Sequence, residues 1–86
     1  MANPPAYDRA DEWSFERDEA NEAELADHRI RPFEAEEVFL NGPHWRRNRT
    51  DAAGDYLMEG RTDSGRLLTV VVRIRAGRIV RPITGW

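Results

Sequence analysis

Polar and apolar positions alternate with a period of two near the start of the chain, follow a helical period through the next third, and return to a period of two from there onward. Trp13 and Phe15 alternate with Glu12, Ser14 and Glu16, which predicts a short first strand with one buried face. Asp18 then caps a helix that runs through Glu19, Ala20, Asn21, Ala23, Leu25 and Ala26 to about His28. Its apolar stripe is weak, but its acidic first turn suits the positive end of the helix dipole, and His28 falls near the negative end. Pro32 is well placed as the first residue of a second helix. There Ala35, Val38 and Phe39 recur at the i, i+3, i+4 spacing while Glu34, Glu36 and Glu37 face water. Asn41-Gly42-Pro43 ends it.

Beyond this stop three or four strands are expected, near 44–49, 56–61, 67–75 and 78–84. The turn Thr62-Asp63-Ser64-Gly65 and the pair Ala76-Gly77 are short enough for consecutive hairpins, so the strands form an antiparallel meander. In the long strand Leu68, Val70, Val72 and Ile74 point to one face, and Leu67, Thr69, Val71, Arg73 and Arg75 to the other. The first of these faces is wholly apolar and calls for cover by the helices. The pattern therefore predicts an α+β fold, two N-terminal helices packed on a 3-4 stranded antiparallel sheet. Residues 1–11, with Pro4 and Pro5 and no periodicity, read as a flexible N-terminus, and residues 12–86 as a single domain.

Length allows one core and not two, since each would bury too little surface. With no cysteine there is neither a disulfide framework nor a thiolate metal site, and His28 and His44 do not by themselves assemble a zinc site; no metal or other cofactor is expected. The longest apolar run, Leu67 to Val72, is interrupted by Thr69 and too short for a membrane span, and the first seven residues lack the basic and apolar regions of a secretory signal. A cytoplasmic location follows as the expectation.

The net charge of -3 conceals an asymmetry. Residues 1 to 40 hold 12 Asp/Glu against 4 Arg, whereas residues 41 to 86 hold 4 Asp/Glu against 9 Arg, so the two halves suit different partners. Every one of the 13 basic residues is arginine, the side chain best suited to bidentate phosphate recognition. A pI near 5.3 argues against nucleic-acid binding by the whole surface and leaves room for a local basic site.

Taken in order, Trp13, His28-Arg29-Ile30, Phe33-Glu34-Ala35-Glu36-Glu37-Val38-Phe39, Tyr56-Leu57, Gly60-Arg61-Thr62, Gly65-Arg66-Leu67-Leu68 and Arg78-Ile79-Val80-Arg81-Pro82-Ile83-Thr84 resemble the BrnT family over roughly residues 13 to 84. The resemblance implies a RelE-like fold and the toxin half of a bacterial type II toxin-antitoxin pair. It further implies a metal-independent ribonuclease that acts on RNA and is neutralised by a cognate, DNA-binding antitoxin. The edge strands leave a monomer, a homodimer and a toxin-antitoxin hetero-oligomer all open.

Metal-free RNA cleavage needs the ribose 2'-OH to attack the adjacent phosphate, positive groups to stabilise the phosphoryl oxygens, and an acid and base to move protons. His28, Arg61, Arg73 and Arg81 form the candidate catalytic set, His28 because it matches the family histidine. Arg46, Arg47, Arg49 and Arg75 form the candidate RNA-binding set, with Arg73 and Arg75 sharing one face of a strand. Tyr56 and Glu59 are further proton-transfer candidates, while simple exposure accounts for His44 at the start of a strand. Each has a plainer role open to it. Edge arginines such as Arg47 and Arg78 keep a sheet soluble, and a histidine closing a helix interacts with its last carbonyls. The acidic clusters 16–24 and 34–37 are either solvated helix faces or a surface for a basic antitoxin segment. Trp45, beside Arg46 and Arg47, is the tryptophan best placed to stack a base. The rival reading is a non-catalytic protein-interaction module of the same fold, a regulatory partner in a DNA-bound complex.

Overall fold

A computed structural model describes residues 12–48 and 55–86, so the expectations for residues 1–11 and for Arg49 lie outside the described residues. The elements run β1 (Ser14–Phe15), α1 (Glu19–Asp27), α2 (Pro32–Leu40), β2 (His44–Arg47), β3 (Tyr56–Arg61), β4 (Leu67–Arg75) and β5 (Ile79–Gly85). The α+β class holds. The sheet, however, has five strands in the order β1-β5-β4-β3-β2, and it is mixed: β2 to β5 form the antiparallel meander, while β1 lies parallel to β5 at the far edge. This corrects the expectation of a 3-4 stranded antiparallel sheet behind two N-terminal helices. The helices are the crossover between the first strand and the meander.

Pro82 explains why β1 is so short. The Ser14 amide donates to the Arg78 carbonyl at 2.9 Å and the Glu16 amide to the Val80 carbonyl at 2.8 Å. The next bond of a parallel ladder would run from the amide of residue 82 to the Glu16 carbonyl, and proline has no N–H to give. The Asn21 side chain donates to that carbonyl instead, at 3.1 Å.

The same asparagine completes the start of α1. Asp18 accepts from the Asn21 amide at 2.9 Å, and the Asn21 side chain accepts from the Asp18 amide at 3.1 Å, a reciprocal capping box that leaves the buried Asn21 fully bonded. At the other end the chain turns back through Arg29, whose φ is +60°. The Ile30 amide donates to the Leu25 carbonyl and the Arg29 amide to the Ala26 carbonyl, both at 2.9 Å, the Schellman pattern, with Leu25 and Ile30 both buried. Pro32 opens α2, and Glu34 reaches back to the Arg31 amide at 3.0 Å.

Strand parity decides which face is covered. Trp45, Met58, Leu68, Val70, Val72 and Val80 are buried on one face against Leu25 and Ile30 of the first helical turn-back and Ala35, Val38 and Phe39 of α2. Phe39 is the aromatic centre of this core, its ring 6.2 Å from that of Trp13 and 6.1 Å from those of Phe15 and Trp45. The β4–β5 register shifts between Val71 and Val72, leaving Ile83 as the extra residue of a bulge.

Candidate functional site

α2 and Leu25 of α1 pack on the core face, α1 meets the sheet along β5, and among the described residues no element lies across the opposite, outer face. Residues paired across neighbouring strands project to the same side, so the register maps that face row by row. At one end lie Ser14, Ile79 and Arg75, then Arg81 and Arg73. Next come Thr84, Val71, Leu57 and Arg46, then Thr69, Glu59 and His44 with Trp86 beside Thr69, and finally Leu67 and Arg61.

Arg73 and Arg81 are direct cross-strand partners, with Arg75 two residues farther along the same face. This cluster comes with its own counterions. Arg75 Nη1 lies 3.0 Å and 3.3 Å from the two carboxylate oxygens of Glu16. Arg81 donates to the Asp18 carboxylate and stands 3.7 Å from Glu16. The Arg81 hydrogen bond, helped by the Asn21 amide, holds the Asp18 carboxyl below its ordinary range, and Asp18 raises Arg81 in return.

The other expected catalytic residues lie elsewhere. Arg61 donates to the Gly65 carbonyl at 2.9 Å and so closes the β3–β4 turn. It faces Leu67, six residues or about 20 Å along β4 from Arg73. His28 caps the C-terminal end of α1, ten residues or about 15 Å from Asp18. Its Nε2 is 3.4 Å from Glu24, which also accepts from the Thr84 hydroxyl at 2.9 Å. The set His28, Arg61, Arg73 and Arg81 is therefore not one constellation: Arg73 and Arg81 are brought together, and the other two are not.

The expected RNA-binding arginines divide likewise. Arg46 is on the outer face, 3.0 Å from Glu59. Arg47 has the parity of Trp45 and projects to the core side, its guanidinium 5.4 Å from the centre of the Tyr56 ring. It shields the rim of the core there. Trp45 is likewise buried against Phe39 and Tyr56, which removes it as a base-stacking platform.

Two features escaped sequence reasoning. Arg66 reaches both the Arg29 carbonyl at 2.7 Å and Glu34 at 3.0 Å, tying the β3–β4 hairpin to the helices. The other is the pairing of His44 with Glu59, which sets an imidazole and a carboxylate opposite each other on the exposed face. The signal for the second was the parity of His44 against the apolar Trp45, legible only once the register was known. Among the described residues no group of three or more His, Asp and Glu side chains stands close enough together to hold a metal ion, and no helix is long and apolar enough to cross a membrane. No family model, curated protein or solved structure matches this chain.

Proposed function

We propose that this chain is a metal-independent endoribonuclease of BrnT type and RelE-like fold, the toxin of a cytoplasmic toxin-antitoxin pair, which holds RNA on the open face of its sheet and is silenced by a cognate antitoxin. The observation that carries the reading is the row in which Arg73 faces Arg81 across β4 and β5, with Arg75 beside them on a face that no described element covers. Adjacent guanidiniums offer a phosphodiester several charge-assisted hydrogen bonds, and a pleated face that no described helix crosses gives a single strand room to lie flat. Glu16 and Asp18 set the terms of entry. A bound phosphate takes over donors that these carboxylates hold in the free protein, so binding is sensitive to salt.

One observation favours the alternative, a non-catalytic protein-interaction module: Arg75 and Arg81 are already matched by carboxylates, and His28 stands at the other end of α1. The deciding experiment is cleavage of a labelled RNA by the purified full-length protein in EDTA. It is run beside the Arg73→Ala/Arg81→Ala double variant and an RNA whose 2'-OH is methylated. Cleavage lost in both controls supports the ribonuclease. A folded protein that leaves the RNA intact returns the chain to the interaction module.

A further inference from the structure

We infer that Glu59 and His44 are the general base and general acid of this face, with Arg46 and Arg61 as the groups that hold the scissile phosphate between them. The inference rests on the ribonuclease reading above and supplies the proton-transfer pair that His28, remote from the arginine rows, does not.

The residues converge through strand register alone. His44 begins β2 and pairs directly with Glu59 of β3; both project to the outer face, since their neighbours Trp45 and Met58 are buried in the core. Cross-strand partners have Cβ atoms about 5 Å apart. An in-line displacement at phosphorus places the attacking and leaving oxygens on opposite sides of one atom. Each must lie within about 3 Å of its own proton acceptor or donor. A carboxylate and an imidazole side by side on adjacent strands meet that demand, one for each oxygen. Arg46, two residues from His44, already contacts Glu59 at 3.0 Å with a half-exposed side chain. Such surface pairs are weak enough for Arg46 to turn from the carboxylate to a phosphate oxygen. Arg61 lies two residues from Glu59 on the same face of β3. The histidine therefore faces one carboxylate and stands next to one guanidinium, and the carboxylate faces two guanidiniums.

A place for a base lies in the same row. Trp86 exchanges both backbone hydrogen bonds with Thr69, each 2.9 Å, which sets its indole on the outer face two strands, or about 10 Å, from Glu59. Trp86 is 62% exposed, and Leu67, diagonal to it, is 63% exposed. An exposed ring beside a charged groove is the platform on which single-stranded nucleic acids stack their bases.

The step balances without a co-reactant. Glu59 takes the proton of the ribose 2'-OH as that oxygen bonds to phosphorus. The bond from phosphorus to the 5'-oxygen breaks, and that oxygen takes the proton of the protonated His44. The products are a 2',3'-cyclic phosphate and a free 5'-OH, and Arg46 and Arg61 neutralise the equatorial oxygens while charge builds on them.

The test compares full-length wild type with Glu59→Gln and His44→Ala on a short RNA in EDTA. Glu59→Gln keeps an acceptor for Arg46 and removes the base; both positions are on the surface, so thermal melts check that the fold is intact. Each variant is expected to lose roughly 100-fold or more in cleavage rate while RNA affinity changes little. The same RNA with sulfur in place of the 5'-bridging oxygen has a leaving group that needs no acid. It should restore His44→Ala and leave Glu59→Gln slow. Folded variants that cleave like a wild type still dependent on Arg73 and Arg81 overturn the pair and leave the ribonuclease standing. A folded wild type that does not cleave overturns both.

Discussion

Arg81 in β5 donates to Asp18, the residue that caps α1, so one ion pair fastens the start of the first helix to the sheet. The carboxylate sits below its ordinary value of 3.8, chiefly because of that hydrogen bond. A lowered carboxyl contributes stability that is complete above its unfolded value and is lost as pH falls through the folded one. Asp18→Asn keeps a competent cap and removes the charge. Its melting temperature should lie below that of wild type near neutrality, and the gap should close below pH 3.8, followed by circular dichroism from neutral to acid. A constant gap would place the effect in the cap and not the charge.

Arg29 occupies the left-handed region, with φ at +60°, at the position where a Schellman turn favours glycine. The Arg66 contact there uses the Arg29 carbonyl, which substitution leaves in place. Arg29→Gly should therefore stabilise the protein by about 1 kcal/mol, read as a higher urea midpoint at unchanged slope.

Phe39 touches three aromatic rings and is almost wholly buried. Phe39→Ala should cost about 3–5 kcal/mol, a large part of the stability of a domain this small. Urea titration followed by tryptophan fluorescence reads the loss directly, because Trp13 and Trp45 both pack on the ring that is removed.

Gly85 is set by close approach and not by an unusual φ. A Cβ placed there would meet the Thr69 carbonyl oxygen at 2.7 Å and the Ile30 side chain at 3.0 Å. Gly85→Ala should push β5 from β4 beside Trp86, destabilising by about 1–3 kcal/mol and weakening protection of the Thr69 amide in hydrogen exchange.

How far these features could be read from the chain depends on how local their causes are. The α1 cap at Asp18, the α2 start at Pro32 and the two-faced pattern of β4 are short-range effects, and all three stand where periodicity and capping chemistry put them. The adjacency of Arg73 and Arg75 followed from the same pleat. The partner of β1 did not, since Ser14 pairs with Ile79 from the other end of the sequence and a two-residue strand carries no pattern that names its neighbour. Register between strands is only partly legible: alternation fixes the face each residue takes, but the turns and the bulge beside Val71 and Val72 decide that Arg73 stands against Arg81, and the link between β2 and β3 decides that His44 stands against Glu59. Residue type suggested His28 and Arg61 as members of one site with Arg73 and Arg81, yet helix and turn geometry set both far from that row.

Pro82 leaves its mark on how the molecule opens. By ending the β1 ladder after Glu16, it makes the first strand a graft held by a few hydrogen bonds, while the four-stranded meander is continuous without it. The two parts need not come apart together. The amides of Ser14 and Glu16 should exchange with solvent through a small local opening, and those of Val70 and Val72 only when the whole sheet dissolves. A detached first strand would carry Glu16 away from Arg75 while Asp18 still holds Arg81, so the rate at which the graft lifts also sets how often the Arg75 guanidinium is released from its carboxylate.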